Sequence, residues 1–471
     1  MNSNNKPTLI SLFAGAGGLD IGLELAGFVS LAVNELESHT CQTLKQNKVL
    51  NSISPSEFDA WFKQNVVSQR CYTRGTSANT IELTRRRLYQ SSGQHSYLDR
   101  AAIIEGDIRN ITSQQLMEAA GTKKGEVTLV AGGPPCQPFS RAGKRATVET
   151  SDGKLFLEFV RMVNEIKPRW FLFENVKGLA QSKTTVFYYL CTNCNTKFIV
   201  PFNERENIIE GGSLTSICPK CASTSCDTQT KEIRGGSLNI ILEEFHRIGY
   251  QCYHTVLNSV DYGVPQNRER LFIVGSRDNE TFLWPAQTHQ EYTTIPIVNQ
   301  YSLLELETKK QCWRTVKDVL WQEGHPQFGS IDYSKAVLWV KNVVRPHDEP
   351  VTWSLNRPSP TVGAHQGAKL AMAPYGVPEE QLARQQWHVL GRRQRDLPPV
   401  DVEHAMLSDE DLLRLQTIPP GWYLHGTRME RAFQIGNAVP PIFAKAIGQA
   451  ILNASGLLEV QLSKLHKVNG I

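Results

Sequence analysis

Leu9-Ile10-Ser11-Leu12-Phe13-Ala14-Gly15-Ala16-Gly17-Gly18 is the stretch that decides the fold. Its apolar start makes a short strand, and the glycines that follow let the chain turn tightly. Leu19, Leu23, Ala26 and Gly27 come next at helical spacing, and Leu31-Ala32-Val33 then runs into Asn34-Glu35. Strand, glycine-rich turn, helix, strand is the opening of an α/β sheet. Gly15-x-Gly17 places backbone N–H groups and a helix N-terminus where they can face a ligand. Asp20 sits where the dinucleotide fingerprint has its third glycine. Glu35, at the end of the second strand, stands where a carboxylate takes ribose hydroxyls. The plainer alternative is a tight turn and a surface glutamate.

Working outward, short apolar runs recur at Val127 to Ala131, Trp170 to Phe173, Val256-Leu257 and Leu271 to Val274. Helical patterns lie between several of them, at Leu155 to Ile166 and Leu238 to Ile248. Strands alternating with helices predict a doubly wound, Rossmann-like, largely parallel sheet. Two stretches, Glu35 to Asp107 and Glu174 to Gln266, far exceed the roughly 30 residues of one β-α-β step. Both read as insertions, the first at about 45–100 with Arg85-Arg86-Arg87, the second at 186–232 with paired cysteines. After about Asp278 the alternation fades. Helical patterns return at Ser408 to Gln416 and Ile442 to Leu452.

The 471 residues predict about three domains' worth of chain. Apolar residues at 40% and ordinary Gly and Pro usage exclude collagen-like and low-complexity chains. The 50 Lys+Arg against 46 Asp+Glu leave only +4, so a polyanion must be met by local patches. Ten cysteines are too sparse for a secreted disulfide scaffold and suit a reducing cytoplasm with a metal site. Met1 to Pro7 lacks the apolar stretch of a signal peptide, and no run approaches a membrane span, so no membrane partner is expected.

Several strand ends carry chemistry-bearing residues. Asp107 is placed to accept from an adenine amino group, although such an aspartate is more often a cap. Gly132-Gly133-Pro134-Pro135-Cys136-Gln137 displays a thiol on a shaped turn at a strand end, where a nucleophile belongs. Ser140 to Lys154 is polar and reads as a loop that closes over substrate. Glu174 in Phe173-Glu174-Asn175-Val176 puts a carboxyl group at another strand end, as acid or as helix cap. Gln266, Arg268 and Arg270 alternate, so they share one face, and two guanidiniums there suit a carbonyl oxygen or phosphate.

Taken in order, Phe13-Ala14-Gly15-Ala16-Gly17-Gly18, Pro134-Pro135-Cys136-Gln137, Glu174-Asn175-Val176, Gln266-Asn267-Arg268-Glu269-Arg270 and Gln434-Ile435-Gly436-Asn437-Ala438-Val439-Pro440-Pro441 resemble the motif set of the cytosine-C5 DNA methyltransferases. The resemblance implies an S-adenosylmethionine-dependent catalytic lobe over 1–277, a target-recognition region over 278–403, and a segment 404–471 returning to the first lobe. It implies Cys136 as nucleophile, Glu174 on the N3 edge of cytosine, and Arg270 with Arg268 behind it. It implies a cofactor surrounded by Phe13, Gly15, Gly17, Glu35, Asp107, Leu155, Asn437 and Val439. Double-stranded DNA would be the partner, the base would be flipped, and the enzyme would act as a monomer protecting DNA from a companion restriction endonuclease. The family usually has an acid where this chain has Ser11. An RNA cytosine-C5 methyltransferase, or an inactive DNA-binding protein on the same fold, are the alternatives.

Cys191-x-x-Cys194 and Cys218-x-x-Cys221 form a four-thiolate zinc pattern of the ribbon type, with Cys226 as a substitute ligand. Four thiolates leave no open position, so the site would be structural. Whether it touches DNA or only stabilises the insertion stays open. Arg141, Lys144 and Arg145 are candidates to hold opened DNA, and Gln381 to Arg395 carries four arginines and no acid.

Overall fold

The computed structural model describes residues 6–69, 78–94, 96–135, 154–205, 217–291, 310–320, 336–340, 351–363, 371–374 and 405–457. They divide into two compact units. One contains 1–111, 258–268 and 283–471, and the other contains 112–257 and 269–282.

In the first unit, β1 (Thr8–Leu12) pairs in parallel with β2 (Val29–Glu35), which pairs in parallel with β3 (Ala102–Glu105). The helix Gly18–Ala26 connects β1 to β2 and buries Ile21 and Leu23 fully. It lies against the chain's last described helix, Pro441–Ala454, closely enough that side chains on its glycines would collide. A Cβ on Gly18 would stand 2.4 Å from the Val439 carbonyl oxygen, and one on Gly22 would stand 2.4 Å from the Ala444 Cβ. The absent side chains let the C-terminal segment dock on the first helix of the sheet. Four short antiparallel strands, Ala336–Val340, Val351–Ser354, Ala371–Pro374 and Ala405–Met406, form a separate sheet in this unit.

The first insertion is helical: Ser38–Ser52, Pro55–Phe62 and Ala78–Ser91. Ser54 caps the second helix reciprocally with Glu57, with Pro55 at its first position. The apolar faces of these helices gather Leu50, Phe58, Trp61, Phe62, Val66 and Leu88 around Tyr423.

In the second unit, β4 (Leu129–Gly132) runs parallel to β5 (Trp170–Val176), joined by the helix Leu155–Ile166. That helix presents Phe156, Phe159, Val160, Val163 and Ile166 on one side. Phe159 sets its ring edge-on to Phe171 and Phe173 of β5. The sheet is largely parallel as expected, with a reversal at β10 (Glu269–Ser276). That strand is antiparallel to β5, with Phe272 opposite Glu174, and β9 (Gln251–Asn258) lies beside it. The reversed strand puts Arg270 at the same end as Glu174.

The second insertion is a three-stranded antiparallel sheet, ordered β7 (Lys197–Ile199), β6 (Lys183–Cys191), β8 (Cys226–Arg234). Its small core is Phe187, Tyr189 and Val200. Among the described residues no helix is long and apolar enough to cross a membrane.

Candidate active site and cofactor turn

The turn after β1 is built by unusual backbone angles. Phe13, Gly15 and Gly17 have φ of 55°, 56° and 83°, the left-handed region. A Cβ on Gly15 would meet nothing within 4 Å, so the chain there faces open space. Glu35 ties the turn to the end of β2. One of its oxygens accepts from the Gly15 N–H at 2.8 Å, and the other accepts from the Leu36 and Glu37 N–H groups at 2.9 Å. A carboxylate already oriented beside a glycine turn with room above it fits the ribose of a nucleoside cofactor. Asn34 bridges the neighbouring strand ends through the carbonyls of Ile104 and Gly106.

Asp107 does what its alternative reading foresaw. It caps a turn, accepting from the Arg109 N–H at 3.0 Å, and the Arg109 guanidinium holds its carboxyl below the usual range. Phe13 is half-buried, Val439 is buried, and Asn437 is exposed at the end of the helix Arg428–Asn437. Within the Gln-Ile-Gly-Asn segment, Gln434 accepts from the Thr43 hydroxyl at 2.6 Å and donates to the His425 carbonyl at 2.7 Å.

Two features of this turn escaped sequence reading. Asp20, in the helix after the turn, is fully buried, and neither carboxylate oxygen finds a well-formed hydrogen bond among the described residues. Burial pushes its carboxyl up to about 7, with Ser11 and the backbone easing the rise and Glu24 and Glu35 adding to it. Trp422 is the second: its indole N–H donates to the Ala16 carbonyl at 3.1 Å. The fingerprint position marks Asp20 without showing its burial, and no local pattern marks Trp422, whose partner Ala16 lies far away in sequence.

In the second unit, β5 and β10 bring Glu174 and Arg270 together. Arg270 Nε lies 3.0 Å from Glu174 Oε1, with side chains 14% and 12% exposed. Burial pulls the Arg270 pKa down, and the glutamate opposes that pull. The turn after β4 is shaped around this pair. A Cβ on Gly133 would stand 2.7 Å from Glu174 Oε2, and Asn175 donates to the Pro134 carbonyl. Pro135, the last described residue of the turn, is exposed. Cys136 and the loop with Arg141, Lys144 and Arg145 lie outside the described residues, as do Arg384, Arg392, Arg393 and Arg395.

Gln266 and Arg268 share a face as expected, and both meet Val362. Gln266 accepts from its N–H at 2.9 Å, and Arg268 donates to its carbonyl at 3.3 Å. Arg268 is almost fully buried and belongs to the first unit, whereas Arg270 belongs to the second. Leu155 is the half-buried first residue of its helix.

The four cysteines form a metal centre in shape. Cys191, Cys194, Cys218 and Cys221 hold their sulfurs within 4.8 Å of one another. A tetrahedral zinc with Zn–S near ~2.3 Å sets sulfurs about 3.8 Å apart. Each Cys-x-x-Cys pair is wound the same way. Asn195 and Ala222, just after the second cysteine, both have φ of 57°, and their N–H groups donate to Cys191 and Cys218 carbonyls at 2.9 and 3.0 Å. Thr196, by side chain and backbone, draws the Cys194 thiol down to about 6, toward the thiolate that a metal binds. Cys226 sits opposite Cys191 across the two strands.

The C-5 cytosine-specific DNA methylase profile matches residues 8–60, 73–197 and 229–453. The Type II methyltransferase M.AquIA of Picosynechococcus sp. is 31% identical over 66% of this chain and 87% of its own length. M.PspPI of Psychrobacter sp. is 27% identical over 94% of this chain and 79% of its own. M.Eco47II of Escherichia coli is 26% identical over 96% and 80%.

Proposed function

The chain belongs to the C-5 cytosine-specific DNA methylase family, and on that premise we propose how its residues divide the reaction. The protein is a DNA cytosine-5-methyltransferase that uses S-adenosylmethionine. Cys136 is the nucleophile. Its thiolate adds to carbon 6 of the target cytosine, and the ring electrons move toward N3. Glu174 meets the N3 edge and carries the proton that balances charge there, while Arg270 fixes the direction of that carboxyl group. Carbon 5 then becomes enamine-like. S-adenosylmethionine, when bound, supplies a methyl group made electrophilic by its sulfonium. Solvent takes the carbon 5 proton, the Cys136 sulfur leaves as thiolate, and the N3 proton returns to Glu174, which restores the aromatic ring. Ring faces are closed inside a duplex, so the base is flipped out first.

The observation that carries this reading is the Glu174–Arg270 pair set against Gly133, directly before Pro134-Pro135-Cys136. Phe13, Gly15, Gly17 and Glu35 hold the nucleoside end of the cofactor, with Asp107, Leu155, Asn437 and Val439 completing its surroundings. Arg268 acts behind Arg270, anchoring the strand entrance through Val362 rather than touching the base. The catalytic segments lie within 1–277 and 404–471, and 278–403 reads the target sequence, with Gln381 to Arg395 supplying cations for DNA. Cys191, Cys194, Cys218 and Cys221 would hold one structural zinc. The enzyme works as a cytoplasmic monomer, paired in function with a restriction endonuclease of the same target, as the Type II relatives' names suggest.

Transfer of tritiated methyl groups from S-adenosylmethionine to duplex DNA tests the assignment. Wild type is expected to label DNA at cytosine carbon 5, mapped by bisulfite sequencing, and Cys136→Ala is expected to label nothing. Wild type that labels no DNA would overturn it.

A further inference from the structure

The first insertion, about 45–100, has no role in the chemistry above, yet it meets the cofactor turn directly through Leu98 and indirectly through Trp422. We propose that Trp422 is a positioning residue for that turn, and that the insertion serves to hold Trp422. The inference rests on reading Phe13 to Gly17 as the cofactor turn.

Trp422 touches the turn in two ways. Its indole N–H donates to the Ala16 carbonyl at 3.1 Å, a buried bond that orients the peptide between Ala16 and Gly17. Its ring also closes the space beside Gly17, where a Cβ would come 3.5 Å from Trp422 and 3.2 Å from Leu44. Gly17 is the left-handed residue that starts the helix after the turn. Fixing it and the carbonyl before it fixes the direction of the N–H groups that face the ligand. Ala14, Ala16, Leu44, Leu98 and Trp422 belong to one apolar cluster, so the contact is packed as well as bonded.

Trp422 lies in an irregular stretch and cannot orient itself. The neighbouring Tyr423 is held at every polar atom. Its N–H donates to Asn47 Oδ1 at 2.9 Å, its carbonyl accepts from Asn47 Nδ2 at 2.7 Å, and its hydroxyl donates to the Asn65 carbonyl at 2.9 Å. Trp61 sets its ring edge-on to the Tyr423 ring, with centroids 5.3 Å apart, and its own N–H donates to Gln46. Asn47, Trp61 and Asn65 all come from the insertion. The chain of contacts therefore runs from insertion helices to Tyr423, to Trp422, to the turn.

Trp422→Phe deletes the N–H and shortens the ring beside Gly17 while leaving an aromatic group in the apolar cluster. Titration calorimetry with S-adenosylmethionine, without DNA, is expected to show binding weakened about three- to tenfold. Steady-state assays on plasmid DNA should place the effect on the S-adenosylmethionine KM and not on kcat. Tyr423→Phe, which deletes the hydroxyl's bonds to the Asn65 carbonyl and to His425 Nδ1, should shift the same constant in the same direction by less. It carries the test if Trp422→Phe fails to fold. Unaltered S-adenosylmethionine binding in the variants, or a fall in kcat and melting temperature without a change in binding, overturns the inference alone. Wild type that binds no S-adenosylmethionine overturns the reading of the turn, and this inference with it.

Discussion

Arg270 and Glu174 meet across two antiparallel strands, Nε to Oε1 at 3.0 Å, with both side chains largely withdrawn from water. Phe272, not Arg270, stands directly opposite Glu174 in the register. The arginine therefore reaches diagonally along the sheet, and its direction depends on the glutamate it finds there.

Removing one partner strands the other. Arg270→Ala is expected to lower stability by on the order of 3 kcal/mol, because it leaves a mostly buried carboxylate without its cation. The urea midpoint reads this loss. Methyl transfer should fall at least tenfold as well, since Glu174 loses the group that aims it. An Arg270→Ala enzyme with wild-type midpoint and wild-type turnover would show that the pair is ornamental.

Gly133 makes room for Glu174. Gly133→Ala places a methyl group 2.7 Å from Glu174 Oε2, closer than real contacts allow, so the carboxyl must move. The expected result is turnover reduced on the order of a hundredfold, with S-adenosylmethionine affinity near wild type. Equal turnover in single-cycle assays would mean that Glu174 is not needed where it stands.

Asp20 supplies a pH dependence. Its folded pKa, about 7, lies above the unfolded value of 3.8, so the folded state keeps a proton that the unfolded state releases. The carboxyl favours the fold fully below about pH 4, and that contribution drains away as pH rises toward 7. Asp20→Asn removes the titration. The variant's melting temperature should gain on wild type steadily from pH 5 to pH 7.5. A gap that does not change with pH would contradict this reading of the buried acid.

The cysteine cluster should carry about one zinc per chain by atomic spectroscopy. Cys194→Ser is expected to lose most of it and to expose 183–234 to rapid amide exchange, because metal binding and folding of so small a module are one event. A metal-free wild type with the same slow exchange would remove zinc from the account.

The motifs lay open in the sequence because each is local. Gly15 and Gly17 announce a left-handed turn wherever they occur. Two Cys-x-x-Cys pairs imply a sulfur cluster before any fold is known, and the helix Leu155–Ile166 followed from its apolar spacing. What could not be read was who meets whom. That β10 runs against β5, that Arg268 turns to Val362 while Arg270 turns to Glu174, and that Asp107 spends its carboxylate on Arg109 all depend on segments far apart in the chain. Trp422 looked like one tryptophan among nine, and the burial of Asp20 did not show in its place among forty-six acids. Only packing puts the first over Ala16 and deprives the second of water, because burial and partnership belong to the folded surface around a residue and not to the residues beside it in sequence.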